Sequence, residues 1–332
     1  MTARKLTLNC NDDRPMWSMP HGVVKRIRDG LGPGWRLAVV EAAVSSRGDG
    51  GSVSAEAVAA AQGAEVYIGA GVPRAVLMAA LPTVRWVHST TAGISSFLYP
   101  ELRDSDVVLT NSAGVHAAPM AESVIGMMLY FARGFDFAIT AQQRGAWEQE
   151  PFVGAGAPIR EIDGATVAIL GMGGIGREVK TRAEALGLRV VGLNRKSTPE
   201  DLRQALRVCD YLVIAVPDTP DTRGLIGAAE LSLLQPGAVV INVSRGSVLD
   251  ERALAAALAA RRLRGAGLDV FQQEPLPADS ALWRLPNVLI TPHVSAVTTR
   301  FWQRQLELVL DNIARYLSGA PLRNVVNKVA GY

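Results

Sequence analysis

An α/β fold built from two successive parallel-sheet domains is what this sequence predicts, on three observations. Strand-like and helix-like segments alternate along the whole chain, a pattern that winds into parallel sheets. In the second half the strand candidates are nearly continuous apolar runs, as strands covered on both faces must be. One of them, Thr166–Leu170, leads directly into the glycine-rich Gly171-Met172-Gly173-Gly174-Ile175-Gly176 and then a helical pattern. A length of 332 residues suits two domains of ordinary size.

The elements follow in order. In the first third the expected strands are Lys5–Asn9, Leu37–Val40, Glu65–Ile68, Arg85–His88 and Val107–Thr110, with helices at Val23–Leu31 and Ala55–Ala61. Arg47 to Ser52 is expected to be a surface loop on its turn-forming composition, and its Arg47-Gly48-Asp49 is read as chance. A long helix is expected from about Pro119 to Arg133, since proline is favourable near a helix start. A less regular stretch from Gly134 to Ile162 separates it from the second alternation. There the strands are Thr166–Leu170, Arg189–Leu193, Tyr211–Ala215, Val239–Val243, Ala266–Val270 and Val288–Ile290. A helix from about Val297 to Leu317 closes the chain.

Composition removes several function classes. Apolar residues make up 48% and charged residues 20%, a balance typical of globular domains. A net charge of +3 with scattered basic residues argues against nucleic acid as a partner, which would need a concentrated basic surface. Arg261-Arg262-Leu263-Arg264 reads as a helix end favoured by the helix dipole. Cys10 and Cys209 make no disulfide framework, and the four histidines have no metal-ligand spacing. No apolar run reaches the ~20 residues that span a bilayer, and Met1–Cys10 lacks a signal-peptide core. No metal, no membrane and a cytoplasmic location are the expectations.

The glycine loop carries the first functional signal. Gly171 allows the tight turn after the strand. Gly173 lets a pyrophosphate approach the backbone, and Gly176 lets the helix pack close to the strand. With Gly174 and Ile175 these residues open a helix whose N-terminal N–H groups face an anion. Ile175, Val179, Ala183 and Leu186 share its expected buried face. A dinucleotide is the ligand this pattern predicts. An NAD site usually has an acidic residue about 20 positions further on, binding the ribose 2′-OH. Asn194-Arg195-Lys196-Ser197 stands there instead, so NADP(H) is the expected cofactor, with NAD(H) possible.

Three segments then follow strand ends: Asn242-Val243-Ser244-Arg245-Gly246-Ser247-Val248-Leu249-Asp250-Glu251, Gly267-Leu268-Asp269-Val270-Phe271-Gln272-Gln273-Glu274-Pro275, and Leu285-Pro286-Asn287-Val288-Leu289-Ile290-Thr291-Pro292-His293. With Thr110–Val115 and Ala121-Glu122, they resemble the D-isomer-specific 2-hydroxyacid dehydrogenases, over about Trp86 to Ala296. The first 80 residues match in α/β pattern only. Within that family the NADP-preferring glyoxylate/hydroxypyruvate reductases are the nearest in kind.

The resemblance implies a flavodoxin-like substrate domain, 1–114 completed by 300–332, and an NAD(P)-binding Rossmann domain, 115–299, with a cleft between them and hinged closure. It implies reduction of a small 2-keto acid to the D-2-hydroxy acid, with His293 as acid/base, Glu274 as its partner and Arg245 as substrate anchor. A histidine titrates near neutrality and suits proton donation to a carbonyl oxygen. A carboxylate on its other nitrogen fixes the tautomer, and a guanidinium can hold a carboxylate. Asp269 would contact the nicotinamide carboxamide, or else cap its strand end. Pro217 and Thr222 resemble the adenosine-side loop, from which Asp218 departs by being charged.

The loop Ala92, Gly93, Ile94 resembles the one that holds the substrate carboxylate, with Ser89 and Thr90 as helpers or turn caps. His88 is expected to be a packing residue, and His116 to be solvated. Trp147, Trp283 and Trp302 are open between site and interface. Met120–Phe131 is a candidate dimer face as well as a core helix, and a homodimer is the family's usual assembly. Three rival readings remain. A phosphoglycerate dehydrogenase is one, although no regulatory domain is expected after Tyr332. A formate dehydrogenase is another, although that family pairs its histidine with glutamine. The third is a dinucleotide-sensing protein like the corepressors built on this fold.

Overall fold

The apolar runs fold as strands, and every strand of the two large sheets lies parallel to its neighbours. The structure is a computed structural model that describes residues 3–44, 46–47 and 50–331. It divides into two units, Met1–His116 with Val297–Tyr332, and Ala117–Ala296.

The first unit holds a five-stranded sheet in the order Trp35–Val39, Arg4–Asn9, Val66–Gly69, Trp86–Ser89, Val108–Thr110. Side chains alternate across it. Leu6, Leu8, Ile68 and Trp86 face one layer, where His21–Leu31 and the C-terminal helix Phe301–Ser318 supply Val23, Ile27, Leu306, Val309 and Ile313. Tyr67, Val87 and Leu109 face the other layer, with Ala57, Ala61, Val76 and Leu77 from the helices Ala55–Ala61 and Arg74–Ala80.

The second unit holds a six-stranded sheet in the order Val288–Ile290, Gly265–Leu268, Val239–Asn242, Tyr211–Ile214, Thr166–Leu170, Arg189–Leu193. Its central strands are fully buried, as their unbroken apolar character requires. Counted from its first strand, its order is 2-1-3-4-5-6, and the first unit's is 2-1-3-4-5. The chain reverses its direction of winding between the first and third strands of each sheet. At such a switch point the crevice outside the strand C-termini receives ligands.

Three expectations change. Gly134 to Ile162 contains the helices Phe135–Gln143 and Glu150–Val153 rather than only irregular chain. Gly134, at φ 69°, bends the chain after the helix Ala117–Ala132. Asp136 is then buried against Arg264, 2.7 Å away, so a charged residue occupies an inward position and hides the apolar period. The closing helix starts at Phe301, not Val297. Within the expected loop at Arg47–Ser52, Ser46–Arg47 pairs with Gly50–Gly51 as a two-residue ladder, while Gly48 and Asp49 lie outside the described residues. Other boundaries agree within one or two residues, the ordinary scatter of element ends. Among the described residues no single helix is long and apolar enough to cross a membrane.

Candidate active site

The glycine loop sits at the switch point of the second sheet. Gly171 has φ 106°, and a Cβ there would lie 2.5 Å from the carbonyl oxygen of Ala215, past the end of the third strand. A Cβ on Gly176 would overlap the Gly171 carbonyl. Both positions therefore exclude any side chain. Gly173 is different: a Cβ would meet nothing within 4 Å, so its front is open. It precedes the helix Gly174–Ala185, whose first turn has N–H groups without helical acceptors. Gly174 and Ile175 are half-buried, and Val179 and Ala183 are core. Leu186 is not on the buried face as expected: the helix ends at Ala185, and Leu186 caps it at 41% exposure.

After the next strand, Asn194 to Ser197 form a self-bonded turn. Asn194 Oδ1 accepts from the Lys196 N–H at 2.8 Å, and Ser197 Oγ accepts from the Asn194 N–H at 3.0 Å. These two side chains shape the turn, and Arg195 and Lys196 are exposed on it. Thr222 likewise folds its own loop, donating from Oγ1 to the Pro217 carbonyl at 2.6 Å. Asp218, the departure in that loop, is paired with Arg223 at 2.8 Å, which holds its carboxyl below the usual range. An open glycine, a helix N-terminus and a basic turn without a carboxylate fit a phosphorylated dinucleotide.

Arg245 is presented by a loop that Asn242 builds. Fully buried, Asn242 accepts from the Ser244 N–H at 3.1 Å and donates from Nδ2 to the Arg245 carbonyl at 3.0 Å. The next residue must be glycine, because a Cβ on Gly246 would overlap the Phe271–Gln272 peptide. Arg245 is half-buried, and its Nη1 donates to the Ser244 carbonyl at 2.7 Å. Sequence reasoning did not single out Asn242. The signal was available, since asparagine at a buried strand end commonly folds the turn that follows.

Glu274 and His293 meet directly. His293 Nδ1 lies 2.7 Å from Glu274 Oε2, and Glu274 Oε1 accepts from the Phe271 N–H at 3.0 Å. Each side chain keeps 35% of its surface exposed. The Glu274 hydrogen bond raises the His293 pKa above its ordinary value, outweighing burial and the nearby Arg245 cation. For Glu274, burial pushes upward, but the bonds from His293 and Phe271 win and leave its pKa lowered. The pair is thus held toward imidazolium and carboxylate. With Nδ1 engaged, Nε2 is the nitrogen left for an incoming oxygen.

His293 sits at φ 54°, an unusual backbone region for a residue other than glycine. Asp269 holds it there. The Asp269 carbonyl accepts the His293 N–H at 2.8 Å. Its carboxylate accepts the Thr291 hydroxyl at 2.6 Å and the N–H groups of Val294 and Ser295 at 2.9 and 3.0 Å. Of the two readings of Asp269, the strand-end cap is the one its bonds display.

In the first unit, the loop after Trp86–Ser89 is strongly self-bonded. Thr91 Oγ1 donates to the Gly93 carbonyl at 2.8 Å, and Asn111 Nδ2 donates to the Ala92 carbonyl at 2.8 Å. Ala92 is exposed, while Ile94 is core beside Phe97, so only its backbone can face a ligand. Ser89 accepts from the Thr91 N–H and so acts as a turn cap. His88 is fully buried, bonded to Thr110 at 2.8 Å and Gln305 at 2.9 Å, and burial lowers its pKa to about 3. His116 is not solvated as expected: its ring stacks on Phe301 at 5.3 Å and meets the edge of Trp17 at 5.5 Å. Trp302 belongs to the same cluster and donates to the Trp17 carbonyl at 2.9 Å. Trp283 donates to the Pro277 carbonyl at 2.9 Å, and Trp147 is 91% exposed.

A doubly wound, dinucleotide-binding architecture with a histidine–carboxylate pair at its strand ends is the class this geometry defines. Residues 125–295 match the family model described as D-isomer specific 2-hydroxyacid dehydrogenase, NAD binding domain. The chain is 34% identical to glyoxylate/hydroxypyruvate reductase B of Pectobacterium atrosepticum over 74% of its own length and 80% of that protein's. It is 31% identical to D-3-phosphoglycerate dehydrogenase of Methanocaldococcus jannaschii over 71% of its length, but spans only 46% of that relative. Among solved structures, it resembles the NADPH-dependent glyoxylate/hydroxypyruvate reductase of Sinorhizobium meliloti in complex with NADP and sulfate. The TM-score is 0.76 at 27% identity, covering 99% of this chain and all of that one. The chain belongs to the D-isomer specific 2-hydroxyacid dehydrogenase family, a family of nicotinamide-dependent oxidoreductases.

Proposed function

We propose that this protein reduces a small 2-keto acid of the glyoxylate or hydroxypyruvate kind to its D-2-hydroxy acid, with NADPH preferred over NADH. The observation that carries the reading is the Glu274–His293 pair at 2.7 Å, with Arg245 close enough to lower both pKa values, on the sheet that carries the glycine loop. When bound, the reduced nicotinamide supplies the hydride.

The chain's own residues do the rest. Gly171, Gly173, Gly174, Ile175 and Gly176 seat the pyrophosphate. Arg195 and Lys196, on the turn shaped by Asn194 and Ser197, take the 2′-phosphate. The loop at Pro217 and Thr222 lies on the adenosine side. Arg245 holds the substrate carboxylate and polarises the carbonyl. In the first unit, the backbone of Ala92, Gly93 and Ile94 is the proposed carboxylate-binding loop. His293 gives the proton on Nε2 to the carbonyl oxygen, while Glu274 keeps the other proton on Nδ1. Asp269 fixes the backbone from which His293 reaches, and accepts the nicotinamide carboxamide on a remaining lone pair.

We place the enzyme in the cytoplasm as a homodimer. Phe135, Ile139 and Trp147 are large apolar side chains exposed after the helix Ala117–Ala132, which supports self-association there. The helix Ala117–Ala132 is a core helix through Ala121, Val124, Met128 and Phe131. A panel of 2-keto acids assayed with NADPH and with NADH tests the function. Turnover of small 2-keto acids with a lower KM for NADPH is expected. A clear NADH preference overturns the cofactor assignment, and absence of turnover overturns the enzyme.

A further inference from the structure

A second carboxylate stands behind the Glu274–His293 pair. Glu251 begins the helix Glu251–Ala259, directly after the N-cap Asp250. Position alone makes it an ordinary first-turn acid favoured by the helix dipole. Its contacts say more. Glu251 Oε1 accepts the Gln272 N–H, and Gln272 Nε2 donates to the Leu249 carbonyl at 2.8 Å. The neighbouring N–H, that of Phe271, is the one held by Glu274. Consecutive peptide N–H groups thus bind two different carboxylates. The same peptide presses on Gly246, which cannot carry a Cβ. The segment that follows Arg245 therefore grips the loop carrying Glu274 at three points: Gly246, Leu249 and Glu251.

We infer that Glu251 is a positioning residue for the proposed proton transfer: it anchors the 271–274 loop so that Glu274 meets His293, and adds negative charge behind Glu274 that favours the imidazolium. The inference rests on His293 being the proton donor. Glu251 lies in a groove with Arg252, Gln272, Gln273, Leu276 and Asp279. It is partly removed from water, and burial raises its pKa, with the charges of Glu274 and Asp250 adding to that. The groups facing His293 are Glu274, Arg245 and Asp269, and those facing Glu274 are His293 and Arg245. Glu251 is the outermost charge of this chain of groups.

The sign follows. A negative charge near an imidazolium stabilises its protonated form and raises its pKa. Reduction needs protonated His293, so its rate falls as pH rises through that pKa. Glu251→Gln keeps an acceptor for the Gln272 N–H and removes the charge. Glu251→Ala removes both.

The test is the pH dependence of kcat/KM for NADPH-driven reduction of glyoxylate or hydroxypyruvate by the whole protein. NADPH affinity and melting temperature are measured alongside. In Glu251→Gln the alkaline midpoint should move down by roughly 0.3–1 unit, as the loss of a solvent-screened charge next to Glu274 would give. In Glu251→Ala the same shift should be joined by a fall in kcat of about tenfold, from the freed loop. A purely structural role lowers the amplitude and leaves the midpoint where it is. An unmoved midpoint in Glu251→Gln overturns the charge role, and an unchanged kcat in Glu251→Ala overturns the anchoring role. His293→Ala separates the levels. If it keeps the parent rate, the proton-donor reading has failed; if it is inactive and the Glu251 variants match the parent protein, only the present inference has.

Discussion

The two units wind the same way and end in opposite chemistry. Both sheets follow the 2-1-3-4-5 order, and both have a switch point between their first and third strands. In the second unit the first strand turns at Gly171 into the open N-terminus of Gly174–Ala185. In the first unit the strand Arg4–Asn9 runs into side-chain bonds instead. Asn11 donates to the Val40 carbonyl at 3.1 Å, Asp12 pairs with Arg14 at 2.8 Å, and the helix waits until His21 behind Pro20. One topology gives an open, glycine-led helix start in one unit and a side-chain-bonded turn in the other, and the difference lies in the glycines.

The histidines repeat the contrast. His88 and His293 both belong to strand ends. Burial among Thr110, Ser112 and Gln305 lowers the His88 pKa to about 3, so it stays neutral and structural. The Glu274 hydrogen bond raises the His293 pKa in a partly exposed place. A carboxylate partner and access to solvent, not residue type, separate a packing group from a candidate acid.

The largest expected effect breaks that contrast outright. His293→Ala should lower kcat by roughly 10²–10⁴ with NADPH affinity retained, measured by steady-state turnover and fluorescence titration. His88→Ala should instead cost stability, about 1–3 kcal/mol in a denaturation curve, because Thr110 and Gln305 lose a buried partner. Gly171→Ala is expected to weaken NADPH binding at least tenfold, since its Cβ meets the Ala215 carbonyl and φ 106° disfavours a side chain. The equivalent titration with Gly173→Ala should show a smaller loss, because that position is open.

Glu274→Gln sharpens the electrostatic half of the comparison. His293 has its pKa raised in the parent protein by the Glu274 bond, so with His293 as proton donor reduction is expected to persist to higher pH than an ordinary histidine allows. Losing the carboxylate lowers that pKa, and the alkaline limb of kcat/KM for reduction should move to lower pH. A limb that stays in place would leave Glu274 outside the proton transfer. The most selective effect is expected at the cofactor turn. Arg195→Ala with Lys196→Ala should raise the KM for NADPH by about tenfold and change that for NADH little.

Much of the second unit was legible in the sequence because local pattern and tertiary role coincide there. Thr166–Leu170 is a buried apolar run that could only be a central strand, and the glycines after it have steric reasons visible in their spacing. The segments at Arg245, Glu274 and His293 announced themselves as three motifs in order. The structure adds that Glu274 and His293 lie within hydrogen-bond reach. What could not be read depends on distant partners. Asp136 looks like a solvated charge until Arg264, 128 residues away, buries it and lets a helix form around it. His116 looks solvated until Phe301 stacks on it. Glu251 looks like a helix-start acid until Gln272 is found on it.

The most direct test of the account is a single-turnover experiment on the parent protein and His293→Ala. Each is preloaded with NADPH and mixed with glyoxylate or hydroxypyruvate, and nicotinamide absorbance is followed. Rapid NADPH oxidation is expected in the parent protein, yielding the D-hydroxy acid where the product is chiral, and almost none in the variant. Equal oxidation rates in the two, or none in the parent protein with either keto acid, would contradict it.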